Sequence, residues 1–139
     1  MPVALSDDMK NAINNALTDK APLIFAAVDD LGQPALSFRG SAQVHSDNEV
    51  GLWVRNQDGG FLASIAANPR VAFQYRNPET RMAFQVHGEA RRIDDEALKN
   101  AIYDAAPEVE RNADADRKGT AVLVEVVRVI QRGAVVMER

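Results

Sequence analysis

Residues 120–131, TAVLVEVVRVIQ, constrain the fold more than any other stretch of this chain. Five of the twelve are valine, and both alternating sets are apolar apart from Glu125, Arg128 and the two ends. β-Branched side chains favour pleated backbone, and a run with no polar face cannot turn one to water. The segment therefore predicts a central strand covered on both sides. Such a strand needs partners, and the chain offers them as short apolar runs separated by turn residues.

LIFAAVDD (residues 23–30) reads as a buried strand. The turn chemistry of Asp29-Asp30-Leu31-Gly32-Gln33-Pro34 predicts a hairpin back into ALSFRGSAQV, residues 35–44. Ser46-Asp47-Asn48 turns again into VGLWVR, which gives a three-stranded antiparallel meander. RVAFQYR alternates Val71, Phe73 and Tyr75 against Ala72, Gln74 and Arg76. RMAFQVHGEARRI sets Ala83, Gln85 and His87 against Met82, Phe84 and Val86, with Gly88 marking a bulge or a close backbone approach. Helices are expected at three places. Ser6 caps one whose stripe is Met9, Ile13, Ala16 and Leu17. A second places Phe61, Leu62, Ile65 and Ala66 on one face and stops before Asn68-Pro69. Asp94-Asp95-Glu96 opens a third, with Ala97, Leu98, Ala101 and Ile102 buried and Pro107 at its end. Residues 108–119, EVERNADADRKG, read as a solvated helix or loop. Six strands with short peripheral helices predict a mainly β, closed or nearly closed antiparallel barrel in a single domain, residues 1–139.

Composition removes several chemistries. The chain of 139 residues has no cysteine, which excludes disulfides, thiolate metal sites, iron–sulfur clusters and cysteine nucleophiles. Its 16 basic against 20 acidic residues, net −4, argue against a nucleic-acid binder. No apolar run approaches the ~20 residues of a membrane span, and MPVALSDDMK lacks the regions of a signal peptide. The expected setting is the cytoplasm, with neither membrane nor nucleic acid as partner.

Arg39 falls late in the second strand and Arg55 at the end of the third, so a hairpin brings them together. Gly59-Gly60 then lead a helix whose first N–H groups are unpaired and whose dipole is positive there. Two arginines beside a glycine-led helix start suit a phosphate monoester. The same residues also fit solvated strand ends and a simple turn. His45 and His87 lack any metal-ligand spacing, so each reads as a packed or half-exposed histidine and no metal is expected. No GxSxG nucleophile motif occurs. Trp53, Phe73, Tyr75 and Phe84 offer either a stacking surface for a planar ring or, more commonly for strand aromatics, barrel core. Asp94-Asp95-Glu96 reads as helix N-terminal charge, and DADRK, residues 114–118, as a solvated face.

The order of these elements, with ANPRVAFQY closing the short helix and RMAFQVHGEARRI after it, resembles the pyridoxamine 5′-phosphate oxidase-like, FMN-binding split-barrel superfamily. The resemblance spans residues 22–133 and is most specific over 39–69. It implies a six-stranded split barrel that forms a homodimer with FMN in a groove between the subunits. The positions it implies for the flavin are Arg39, Gly40, Ser41, Ala42, Val54, Arg55, Gly59, Gly60 and Phe61, with Gln85 or Ala83 from the later strand. Gly40, Ser41 and Ala42 would offer backbone groups to the ring edge. Departures are equally specific. The oxidases carry an Arg-Lys pair where this chain has Gly60-Phe61, a lysine at Val44, and a small hydroxyl residue at Arg55. The oxidase's C-terminal substrate tail has no counterpart before Arg139. The resemblance thus implies an FMN-dependent oxidoreductase other than the vitamin oxidase, with no catalytic side chain identified. An F420-dependent reductase, a non-catalytic flavin- or haem-binding stress module, and a barrel without ligand are the alternatives.

Overall fold

The computed structural model describes residues 3–139; Met1 and Pro2, part of the opening segment read above for a leader, lie outside them. The elements run α1 (Asp7–Asn15), β1 (Ile24–Val28), β2 (Pro34–Phe38), β3 (Gln43–Ser46), β4 (Glu49–Val54), α2 (Gly60–Ala67), β5 (Arg70–Asn77), β6 (Met82–Ile93), α3 (Glu96–Ala105), α4 (Glu108–Ala113), β7 (Thr120–Gln131) and β8 (Ala134–Glu138). They form one antiparallel sheet of order β2-β1-β5-β6-β7-β4-β3, with β8 paired to β7 beside that path. The β-rich architecture with short helices matches the sequence reading. Its strand count does not: the sheet has eight strands rather than six.

Both extra strands have a local cause. The segment read as one strand over 35–44 breaks at residues 39–42, so β2 pairs only with β1 and β3 only with β4. The expected meander is therefore two separate hairpins. β8 follows a tight turn at Arg132 and Gly133, both at positive φ (53° and 76°), the backbone handedness that a two-residue hairpin requires.

The break also explains the shape. β2 and β3 are the two ends of the hydrogen-bonded path, six inter-strand steps apart. On a flat sheet that is roughly 29 Å at about 4.8 Å per step. Yet Phe38 and Gln43 are joined by only residues 39–42, a linker that spans at most roughly 18 Å. The sheet must curl until its edges nearly meet, and residues 39–42 bridge the remaining seam. The barrel is not closed by strand pairing.

β7 is the central strand its composition predicts. Val122, Val124, Val126 and Val129 point into the main core with Phe25, Phe73, Phe84 and Val86. Ala121 and Leu123 point the other way, into a second cluster with Trp53, Ile93, Ile102 and Tyr103 beneath α3. Helix α3 buries Ile102 and Tyr103 and half-buries Leu98, whereas Ala97 and Ala101, expected in its stripe, are exposed. An alanine methyl loses little by facing water, so Tyr103 takes the buried direction instead. Asp95 caps this helix through Leu98 N–H at 2.9 Å, and Ser6 caps α1 through Met9 N–H at 3.2 Å, both as the sequence implied. Gly88 sits at a register shift between β6 and β7, the bulge expected for it. Among the described residues, no helix is long and apolar enough to cross a membrane.

Candidate functional site

The seam places chemistry where the strands do not pair. Ser41 is buried, and its hydroxyl donates to Trp53 O at 3.0 Å while accepting from Trp53 N–H at 2.9 Å. One side chain thus stands in for the missing ladder between the linker and β4. Immediately before it, Arg39 and Gly40 line a cavity of about 240 Å³ together with Phe38, Trp53, Arg55, Asn56 and Glu110. Arg39 and Arg55 come to one pocket, but across the seam rather than through the hairpin expected from the sequence, because β2 and β4 do not pair.

Arg39 is the unusual group there. Its Nε is buried without a hydrogen-bond partner, and the side chain forms no ion pair among the described residues. The guanidinium carbon lies 4.2 Å from the centroid of the Phe61 ring, a cation–π contact that holds it against the first turn of α2. Burial pushes its pKa down from the usual arginine value, although a guanidinium stays charged in any protein. A half-buried cation that makes no ion pair of its own favours an anion beside it.

Arg55 is less isolated. Its Nε is 3.4 Å from Glu110 Oε2, the arginine side chain being 51% exposed and the glutamate 18%. Glu110 Oε1 lies against Gly40, where a Cβ atom would approach it to 2.6 Å, so the glycine makes room for the carboxylate. Sequence reasoning missed Glu110 because the polar tract around it reads as a solvated helix. Asp114, from the same tract, corrects the expectation of a solvated face. It accepts from Trp53 Nε1 at 2.8 Å, Gly119 N–H at 2.8 Å and Lys118 N–H at 3.0 Å. Partial burial raises its pKa, but these hydrogen bonds and the charge of Arg55 outweigh that and leave it below the usual carboxylate value. A lowered folded-state pKa means stability that is present at neutral pH and lost as pH falls through the acid range. Asp114→Ala should cost about 1 kcal/mol at neutral pH, with water replacing part of the loss, and should flatten the acid side of the stability curve. Urea denaturation at pH 7 and below pH 4 measures both effects.

The remaining sequence-derived positions are distributed around this pocket. Gly59 caps α2 with no side-chain bond, and its N–H reaches Asn56 O at 3.4 Å; Gly60 has open space beside it. Neither lines the cavity, and they connect to it through Asn56 and the Phe61 ring. Ala42 and Val54 are core residues, 3% and 1% exposed, so what they offer a ligand is backbone. Gln85 lies further off on the outer face of the sheet. Register partners place Phe38, Ile24, Gln74, Gln85, Ile130 and Val135 in one row across β2, β1, β5, β6, β7 and β8. From Phe38 at the pocket to Gln85 is three strand steps, roughly 14 Å. The next row holds Leu36, Ala26, Ala72, His87 and Arg128, and a trough of about 480 Å³ opens over its middle. There His87 Nε2 is 2.6 Å from Gln85 Oε1, with Arg128 3.5 Å from Nδ1. His45 is exposed, and Trp53, Phe73, Tyr75 and Phe84 are all core.

No protein-family model and no curated protein matches the chain. Solved structures do. HupZ of Group A Streptococcus aligns with TM-score 0.75 and 22% identity over 96% of this chain and 99% of that one. A putative pyridoxamine 5′-phosphate oxidase from Lactobacillus delbrueckii aligns with TM-score 0.71 and 16% identity over 92% and 94%. Two more at TM-score 0.67 are an F420 reductase, 16% identical over 91% and 98%, and an FMN-binding protein from Syntrophomonas wolfei, 10% identical over 88% and 83%. The structural neighbours thus include proteins described as a putative pyridoxamine 5′-phosphate oxidase, an FMN-binding protein and an F420 reductase, and at these identities the likeness establishes the fold alone.

Proposed function

We propose that this chain binds the phosphate-bearing tail of a flavin, FMN or the deazaflavin F420, and supports hydride or electron transfer to a small molecule. The observation that carries this reading is Arg39, a half-buried cation with an unpartnered Nε in a pocket it shares with Arg55. The donor set fits a phosphate: two arginines line a space several times the ~30 Å³ share of one water. Neighbours of the same fold include an FMN-binding protein and an F420 reductase, which supports a ring of this class.

In this reading Arg39 and Arg55 hold the phosphate, with Gly40 and Ser41 lining the seam beside them. The outer-face row leading from Phe38 to Gln85 has about the reach of a flavin and carries its ring away from the pocket. When bound, the ring supplies the two-electron or one-electron chemistry. The chain orients it, excludes water and positions the acceptor. The proposal includes a cytoplasmic setting.

It also includes a homodimer. Leu36 and Phe38 are 70% and 67% exposed, and Val135, in the Phe38 row, is 53% exposed. Apolar side chains so exposed on one sheet face suit a second copy, which would wall the ring from its open side. Phe38→Glu should convert a dimer to a monomer in analytical ultracentrifugation; an unchanged sedimentation coefficient would remove this face from the interface.

The function is tested by titrating the purified protein with FMN, F420 and haem, followed by absorbance and calorimetry. Saturable binding of FMN or F420 that a reductant and an acceptor can cycle supports an oxidoreductase. Binding without cycling supports a flavin-sequestering role, and haem alone binding sinks the reading.

A further inference from the structure

The carboxylate of Glu110 occupies the anion pocket as a fixed part of it. Helix α4 carries this residue and is tied to α3 by hydrogen bonds in both directions. Tyr103 Oη is within hydrogen-bond distance of the carbonyls of Arg111 (3.0 Å) and Asp114 (3.1 Å), and Arg111 reaches back to Asp104 O at 3.2 Å. The Glu110 side chain then fills the space above Gly40 and meets Arg55. With it in place, the two arginines of the cavity carry one net positive charge, and Asp114 acts on Arg55 as well.

Resting on the flavin reading above, we infer that Glu110 tunes the phosphate this pocket accepts, cutting the advantage of a doubly charged phosphomonoester over a singly charged phosphodiester. A free phosphate monoester carries close to two negative charges above its second pKa near 6, whereas a diester carries one. The Coulomb energy between a fixed carboxylate and a ligand group scales with the ligand's charge. Glu110 therefore repels a monoester about twice as strongly as a diester at the same position. F420 carries its side chain through a phosphodiester, while FMN ends in a monoester, so the same carboxylate discriminates between the two cofactor classes. Arg39, which forms no ion pair with it, stays available to either ligand, while Arg55 is shared with the carboxylate.

The test uses three ligands that share one ring: riboflavin, the monomethyl ester of FMN, and FMN. Their affinities are measured at pH 8 by flavin fluorescence for the wild type, Glu110→Gln and, as a control on the exposed face of α4, Glu108→Gln. Glu110→Gln should tighten FMN by about tenfold, the methyl ester by about threefold and riboflavin not at all, with Glu108→Gln leaving all three unchanged. Equal gains for FMN and its ester, or no gain for either, overturn the inference while leaving the flavin reading intact. Failure of all three ligands, and of F420 alongside them, to bind any of the proteins overturns both. Circular dichroism of each variant confirms that the fold is retained.

Discussion

Arg39→Ala is expected to weaken FMN binding by roughly one to two orders of magnitude, corresponding to the ~1.5–3 kcal/mol of a charge-assisted contact. Arg39 has no ion-pair partner to release, so its removal subtracts from the ligand without freeing a buried acid. Arg55→Ala should do less, because Glu110 already engages that guanidinium and half of it faces water. The order of the two effects is as informative as their size. Arg39 also stacks on Phe61, and its loss should loosen the start of α2 without unfolding it. Calorimetric titration of both variants, with thermal melts alongside, separates binding from stability. An Arg55 variant more damaged than the Arg39 variant would place the phosphate nearer Arg55 than Arg39.

Gly88→Val should be the most destabilising single substitution considered, about 3 kcal/mol and roughly 10 °C in Tm. A Cβ at this bulge would stand 2.6 Å from Val124 Cγ1 and 2.7 Å from the backbone carbonyl of Glu125. The valine can rotate, but the carbonyl belongs to β7, the strand on which the sheet is built. Relief therefore requires β6 and β7 to separate beside Val124 and Val126, which are both fully buried. Differential scanning calorimetry reads the outcome, and a variant melting within 2 °C of the wild type would show that the bulge tolerates a side chain.

Much of this was legible in the chain because the signals were local. Valine density identified β7, glycine in an alternating run identified the bulge, and a cap followed by acidic residues identified α3. Arg39 and Arg55 were singled out because each ends a strand beside a turn, but the seam, not the expected hairpin, brings them together. The break at residues 39–42 was hidden because the segment keeps a strand-like pattern, and only the global curl of the sheet forces its ends onto different neighbours. β8 was hidden by its brevity and by a turn in which Arg132 takes a positive φ that arginine seldom adopts. Glu110 and Asp114 left no signal at all. Their tract is polar throughout, and what gives them a role is contact with residues some seventy and sixty positions earlier, Gly40 and Trp53. Long-range polar contacts have no periodicity to read.

On the function proposed, the seam between the two edge strands holds the phosphate of a flavin. The most direct measurement compares the affinities of FMN and riboflavin, which differ only in that group, for the wild type and for Arg39→Ala. The account predicts that FMN binds the wild type at least about tenfold more tightly and that most of this advantage disappears in the variant. Equal affinity of the wild type for FMN and riboflavin would contradict it.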